Sequence, residues 1–161
     1  MVYSTRFGTT EVVARALERG LRSAGMQTAC QNMQDVAPES LKRFDLICVG
    51  GPTEVLSATK PTKEFLKALE GVELEGKFGF AFDTKLDSRL SGSAAKYIEH
   101  SLDDDGIYIA APRESAIVTS KKEGGKIIGA ILKDGEEKRF ETLGMKLGSA
   151  AADEMVRVRG S

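Results

Sequence analysis

Tryptophan is absent from this 161-residue sequence, which holds only one histidine, two cysteines and four prolines. The lone histidine and two distant cysteines offer no cluster from which a zinc site or a disulfide framework could be built. No apolar run approaches the roughly 20 residues that a membrane-spanning helix requires. The first residues lack the basic start and apolar stretch of a secretory signal. We therefore expect a chain that acts in the reducing cytoplasm, with Cys30 and Cys48 as buried free thiols.

A surplus of either charge is missing as well. The 23 Lys and Arg side chains nearly cancel the 24 Asp and Glu side chains, which leaves a formal charge of -1. Because this balance supplies no strong field to hold a polyanion or an anionic bilayer surface, neither nucleic acid nor a membrane is an expected partner. The composition, 41% hydrophobic and 29% charged, is that of an ordinary globular protein. The length suits a single domain over residues 1–161.

Short apolar stretches alternate along the chain with longer stretches of helical spacing. This alternation predicts a doubly wound α/β fold, in which a five-stranded parallel sheet carries helices on both faces. Pro112 cannot donate to a strand ladder, so we expect it to split the last strand in two. The apolar run 127–132 finds no place in this pattern. The predicted strands are residues 2–4, 26–30, 46–50, 78–82 and the split pair 107–111 and 116–118.

The predicted helices follow from apolar positions spaced three to five residues apart. In the last of them, Gly144 and Gly148 lower helix propensity, which predicts a close approach to the sheet at these positions. Residues 156–159 at the end of the chain are predicted to be frayed. The helices are expected at residues 12–24, 61–69, 94–102 and 140–151, with a short helix at 38–44.

The loop after the first predicted strand is rich in hydroxyl groups and runs directly into a helix. It contains Thr5, Gly8, Thr9 and Thr10. Free N–H groups at the helix start, the positive end of the helix dipole and the threonine hydroxyls could together hold a phosphate. Alternatively, one threonine merely caps the helix. The residues of this loop alone leave both interpretations open.

The segment 2–11, read as VYSTRFGTTE, resembles the phosphate-binding loop of the flavodoxin family, whose pattern is roughly Ser/Thr-x-Thr-Gly-x-Thr after the first strand. Gly50-Gly51-Pro52-Thr53 resembles the start of that family's second flavin-binding loop, and residues 83–92 fall where its third loop should lie. The resemblance implies the sheet order 2-1-3-4-5 and tightly bound FMN. It also implies a one-electron carrier that works with a redox partner protein.

The resemblance assigns roles to individual residues. The first loop would hold the phosphate of FMN, while segments 52–59 and 83–92 would form two walls around the flavin ring. Acidic side chains, with Glu54, Asp83 and Asp87 as candidates, would disfavour the reduced anion near the ring. No catalytic or metal-ligating residue is implied. The implied cofactor contacts are Thr5, Arg6, Phe7, Gly8, Thr9, Thr10, Pro52, Thr53, Glu54, Leu56, Asp83, Thr84 and Leu86.

This chain differs from the family pattern at the predicted site. Phe7 replaces a hydroxyl of the phosphate loop, and Arg6 adds a cation in a Ser-Thr-Arg start that also resembles flavodoxin-like protoporphyrinogen oxidases. Neither predicted wall contains an aromatic residue, and the loss of stacking, worth about 0.5–1.5 kcal/mol, weakens FMN binding by roughly tenfold. Two alternatives therefore stay open. One is an FMN-dependent oxidoreductase of the quinone reductase or protoporphyrinogen oxidase type, and the other is an interaction module that has lost FMN.

Three further features of the sequence resemble functional sites. Residues 71–77 fit the spacing of a P-loop, but Phe78 stands where Ser or Thr must bind magnesium and the segment precedes a strand, which excludes that motif. His100 lies off the apolar stripe of its helix and is expected at the surface. Asp103, Asp104 and Asp105 are predicted to form a solvated helix end, with the docking of a basic redox partner as the alternative. The near-zero net charge differs from the strongly acidic carriers of the family.

Overall fold

Strands and helices alternate through residues 1–160, which the computed structural model describes. Two short 3-10 helices, Met33–Asp35 and Pro38–Arg43, precede the third strand. The strands are β1 (Val2–Tyr3), β2 (Gln31–Asn32), β3 (Leu46–Glu54), β4 (Ser57–Ala58), β5 (Phe78–Leu86), β6 (Tyr108–Ile109), β7 (Glu114–Glu123) and β8 (Lys126–Leu132). The helices are α1 (Thr9–Ser23), α2 (Lys60–Leu69), α3 (Ala94–Asp104) and α4 (Glu136–Gly160).

The main sheet has the order β2-β1-β3-β5-β7-β8. Its first five strands are parallel, which confirms the doubly wound order 2-1-3-4-5. The predicted split of the last of these strands is also confirmed, because β6 pairs with the start of β5 and β7 with its end. β8 adds an antiparallel edge strand. β8 accounts for the apolar run 127–132, which the sequence left unplaced.

Three details of the sequence prediction were wrong. The second strand is Gln31–Asn32 rather than 26–30, because Gln31 and Asn32 are the residues that pair with Val2 and Tyr3 of β1. The end of the chain is not frayed, since α4 continues to Gly160. Gly144 approaches α1 and not the sheet: a Cβ at this position would lie 3.0 Å from the Cα of Gly20. The small residues thus let two helix backbones meet.

Two apolar cores lie on opposite faces of the sheet. α1 and α4 cover one face, where Phe80, Phe82 and Phe140 are fully buried. α2 and α3 cover the other, around Ile47 and Leu66. This layering is why β3 and β5, which lie in the middle of the sheet, have continuous apolar sequences.

Both cysteines are buried, as predicted. Burial is the main cause that raises the pKa of each thiol to about 11. Neither thiol is therefore a nucleophile near neutral pH. Among the helices within residues 1–160, none combines the length and the apolarity needed to cross a membrane.

Candidate functional site

A cavity of about 290 Å³ opens at the edge of the sheet where the parallel strands end. This volume lies just below the range of roughly 300–1,000 Å³ that is typical of small-molecule sites. The cavity lies between the loop after β1, the ends of β3 and β5, and the β7–β8 hairpin. Its lining residues are Arg6, Phe7, Thr9, Thr10, Pro52, Thr53, Glu54, Val55, Thr84, Lys85, Leu86, Val118, Ser120, Ile127, Gly129 and Ala130.

The loop after β1 leaves the first turn of α1 open to this cavity. Gly8 is the N-cap, with φ 86° and ψ -12°, and it has no side chain that could accept from the helix. The Thr5 hydroxyl accepts a 2.9 Å hydrogen bond from the N–H of Gly8, so it closes the loop and does not cap the helix. Because first-turn N–H groups have no intrahelical acceptor, those of Thr9 and Thr10 remain available for a ligand.

The glycine at this position keeps the approach to these N–H groups clear. Its left-handed φ is rarely adopted by residues that carry a side chain. A Cβ built on Gly8 would meet no other atom within 4 Å, so the space in front of the loop is empty of protein. The threonine-cap alternative is thus excluded, and the geometry that remains is that of an anion cradle.

A buried pair of hydroxyls ties the loop to the sheet. Thr10 and Thr84 are both buried, and their hydroxyl oxygens lie 2.9 Å apart. Thr10 belongs to the first turn of α1 and Thr84 to the end of β5, so the contact fixes the helix N-terminus against a central strand. The Thr10 hydroxyl therefore positions the cradle, while the half-buried Thr9 lines the cavity.

Arg6 forms an ion pair across the mouth of the cavity. Its Nη1 atom lies 3.0 Å from Oε1 of Glu54, at the end of β3. The same guanidinium sits 4.7 Å from the centre of the Phe7 ring. The side chains of Arg6 and Glu54 are both exposed, and such pairs contribute at most about 1 kcal/mol. The pair can therefore separate at a small cost in free energy.

The turn after β3 is built from two bulky apolar residues in an unusual conformation. Val55 and Leu56 have φ of 46° and 70°, and their neighbours Glu54 and Ser57 pair as in a two-residue hairpin. Such turns strongly prefer Asn-Gly, and non-glycine residues in this region cost about 1–3 kcal/mol each. The turn leaves Val55 95% exposed and Leu56 64% exposed. The strained turn thus exposes two apolar side chains, of which Val55 lines the cavity.

The two predicted walls touch each other. Leu56 forms a parallel bridge with Gly92, and a Cβ at Gly92 would overlap the Leu56 backbone. Segments 52–59 and 83–92 therefore meet directly, and the cavity lies beside them. Of the predicted contacts, Arg6, Phe7, Thr9, Thr10, Pro52, Thr53, Glu54, Thr84 and Leu86 line the cavity, whereas Thr5, Gly8, Leu56 and Asp83 do not.

Asp83 is fully buried and holds the end of β3 to the start of α3. Its Oδ2 atom accepts from the Thr53 hydroxyl at 3.0 Å, the Ser93 hydroxyl at 2.8 Å and the N–H of Ala95 at 2.9 Å. Ser93 is itself the N-cap of α3. The carboxylate thus complements the positive end of that helix dipole. Its place in the structure is that of a support for the site.

The sequence prediction missed the fourth side of the cavity, which comes from the β7–β8 hairpin. Pairing between β5 and β7 ends at Leu86 with Val118, but pairing between β7 and β8 continues to Glu123 with Lys126. Residues 119–131 therefore project past the edge of the sheet, and we call this segment the arm. Gly124 and Gly125, both at positive φ, form its turn. A Gly-Gly pair between two strand-forming runs was the available signal for this hairpin.

Comparison with known proteins places these features in context. Residues 1–82 match the family profile described as flavodoxin. A flavodoxin from Clostridium saccharobutylicum is 32% identical over 85 residues, covering 52% of this chain and 53% of that protein. The chain thus matches about half the length of this curated relative.

Solved structures resemble nearly the whole fold. A flavodoxin from the domain Archaea superimposes with a TM-score of 0.75 at 23% identity, covering 94% of this chain and 96% of that one. Oxidised flavodoxin 1 from Bacillus cereus gives a TM-score of 0.75 at 17% identity, covering 91% and 94%. At these identities the likeness establishes the fold, including the part of the chain after residue 82.

Proposed function

This chain belongs to the flavodoxin family, and on that premise we propose that it binds FMN and carries single electrons to or from a redox partner protein. FMN supplies the redox chemistry, since no protein side chain at the cavity can accept and release electrons reversibly. The role of the chain is to bind the nucleotide, orient it and exclude water from part of it.

The observation that carries the proposal is the uncapped first turn of α1, which opens into the cavity behind a left-handed glycine. The N–H groups of Thr9 and Thr10, the Thr9 hydroxyl and the helix dipole suit a phosphate. The rest of the cavity is apolar at Val55, Leu86 and Ile127. A site that is polar at one end and apolar at the other fits an amphipathic nucleotide.

The flavodoxin matches support a carrier over the two alternatives weighed on the sequence. An interaction module without flavin would have no need for an open helix N-terminus at the base of a cavity.

The chain offers a matched pair of glycines that tests the phosphate assignment. Gly8 and Gly25 both have φ +86°, and a Cβ at either would meet no atom within 4 Å. Gly8→Ala and Gly25→Ala should therefore destabilise the fold equally, by about 1 kcal/mol. Gly25 follows the end of α1, far from the cavity, so only Gly8→Ala places a methyl group and a strained backbone where the phosphate would lie.

The measurement is the quenching of FMN fluorescence on titration with apo-protein. We expect saturation at one equivalent for the unmodified chain and an affinity at least about tenfold lower for Gly8→Ala, with Gly25→Ala unchanged. Thermal unfolding of both apo-variants controls for stability. Equal FMN affinity in the two variants would refute the assignment of the phosphate to this loop.

A further inference from the structure

We propose that the arm and the adjoining end of β5 form a cationic docking surface, which selects an acidic redox partner protein. This inference rests on the proposed function, because it concerns how the partner reaches the FMN site. It differs from the sequence interpretation, in which an acidic helix end would dock a basic partner.

The arm carries an excess of positive charge next to the cavity. Its charged residues are Lys121, Lys122, Lys126 and Glu123, and all four are exposed. Lys122 pairs with Ile127, a residue of the cavity lining, and Lys121 pairs with Gly129, which also lines it. The backbone of the arm thus carries these lysines beside the cavity.

Two further cations extend this surface beyond the arm. Lys85 lines the cavity, and Arg89 lies exposed in the loop that follows β5. Across residues 1–160, neither these two side chains nor the three arm lysines lie within 4.0 Å of a carboxylate oxygen. By contrast, the opposite charges cancel within each of the nearby ion pairs Arg6–Glu54 and Lys133–Asp87. Five cations and one unpaired glutamate therefore set the local potential.

A cluster of acidic residues lies at the opposite end of the parallel strands. Asp103, Asp104 and Asp105 end α3, and the N–H of Gly76, just before β5, donates to the carbonyl of Gly106. Burial, together with the charges of Glu70 and Asp104, raises the pKa of Asp105, as expected where carboxylates crowd together. β5 spans nine residues, or roughly 30 Å at about 3.3 Å per residue, so this acidic cluster is remote from the cavity.

The net charge near zero therefore does not describe the charge at the cavity, where cations predominate. Steering depends on the potential around the binding surface more than on the total charge. The arm adds the exposed side chains of Ile127 and Ile128, and Ile127 lines the same cavity as Val55 of the strained turn. An apolar centre with a charged rim is the usual anatomy of a protein interface. A second copy of this chain in a symmetric contact would present the same cations and be repelled, and the charge of the surface therefore favours an acidic partner protein as the occupant.

The test uses the FMN-loaded protein, reduced with dithionite, and two haem proteins as one-electron acceptors. One acceptor is an acidic soluble b-type cytochrome and the other a basic c-type cytochrome. In each encounter the reduced holoprotein loses one electron and one ferric haem becomes ferrous, a change that stopped-flow absorbance records. Rates are measured from low to high ionic strength for the unmodified chain, for Lys122→Gln/Lys126→Gln, and for the control Lys67→Gln/Lys146→Gln on α2 and α4.

We expect the rate with the acidic acceptor to fall as salt rises, and to be several-fold lower in the arm variant at low salt. The control pair changes the net charge equally and should match the unmodified chain. A salt-independent rate, an arm variant equal to the control, or a rate that falls with salt only for the basic acceptor would each overturn the docking proposal while leaving the carrier function intact. A chain that takes up no FMN overturns both proposals.

Discussion

The contact between Thr10 and Thr84 gives the sharpest prediction about how the site is built. Both side chains are buried, and their hydroxyl oxygens are 2.9 Å apart, one at the start of α1 and one at the end of β5. Thr→Val keeps the shape of the side chain and removes the hydroxyl. Either single variant leaves one buried hydroxyl without its partner, whereas the double variant leaves none.

The expected loss of stability depends on whether one or both partners of the hydrogen bond are removed. A buried polar group that loses its partner costs about 1–3 kcal/mol, whereas replacing both partners by apolar groups of the same shape is nearly neutral. We therefore expect Thr10→Val and Thr84→Val each to lower the free energy of unfolding by about 1–2 kcal/mol. The double variant should be no less stable than either single variant, which gives a coupling of at least about 1 kcal/mol.

Urea unfolding of the four apo-proteins measures this cycle, and FMN titration of the same samples adds a second readout. If the Thr10 hydroxyl acts by positioning the loop, Thr84→Val should weaken FMN binding as much as Thr10→Val does. Additive stability losses would refute the pairing. A loss of FMN affinity confined to Thr10→Val would show that this hydroxyl faces the phosphate instead of Thr84.

Three further changes probe the support of the site and of the fold. Asp83→Ala should lower the free energy of unfolding by about 2–4 kcal/mol in urea, because it leaves three donors without their common acceptor; full stability would contradict this account. Gly144→Ala should lower the thermal midpoint, since overpacking against α1, about 1–3 kcal/mol, outweighs the gain in helix propensity of about 1 kcal/mol. The Arg139 side chain, hydrogen-bonded to Glu136, lowers the pKa of that carboxyl below its usual value of 4.5. Because the folded value lies below the unfolded one, this contribution to stability is complete above about pH 4.5 and is lost as the pH falls below it. Glu136→Gln should therefore show a shallower loss of stability in acid, and an unchanged acid profile would exclude the pair as a cause.

The features that the sequence allowed us to predict are those encoded by local pattern. The β–α alternation and the uninterrupted apolar runs of β3 and β5 were enough to derive the parallel sheet and its order. The loop before α1 was also predictable, because threonines, a glycine and the helix start are adjacent along the chain. Pro112 marked the break between β6 and β7 for the same reason.

The features that could not be predicted depend on tertiary contacts or on conformations that the residue types disfavour. Val55 and Leu56 do not look like turn residues, and Leu56 contacts Gly92, a residue 36 positions further along the chain. The arm lines the cavity because β7 runs past β5, and no pattern within either strand specifies that overhang. The sequence likewise does not show that the lysines of the arm and the acidic end of α3 lie far apart, because that distance depends on the position of β5 between them.

The central claim, that the loop before α1 holds the phosphate of FMN, is tested most directly by comparing FMN with riboflavin, which lacks that phosphate. Charge-assisted hydrogen bonds contribute about 1.5–3 kcal/mol each. Loss of the phosphate should therefore weaken binding at least about 100-fold, or roughly 2.7 kcal/mol. The account predicts saturable quenching by apo-protein at one equivalent of FMN and much weaker binding of riboflavin. Equal affinities for the two flavins, or no saturable binding of FMN, would contradict it.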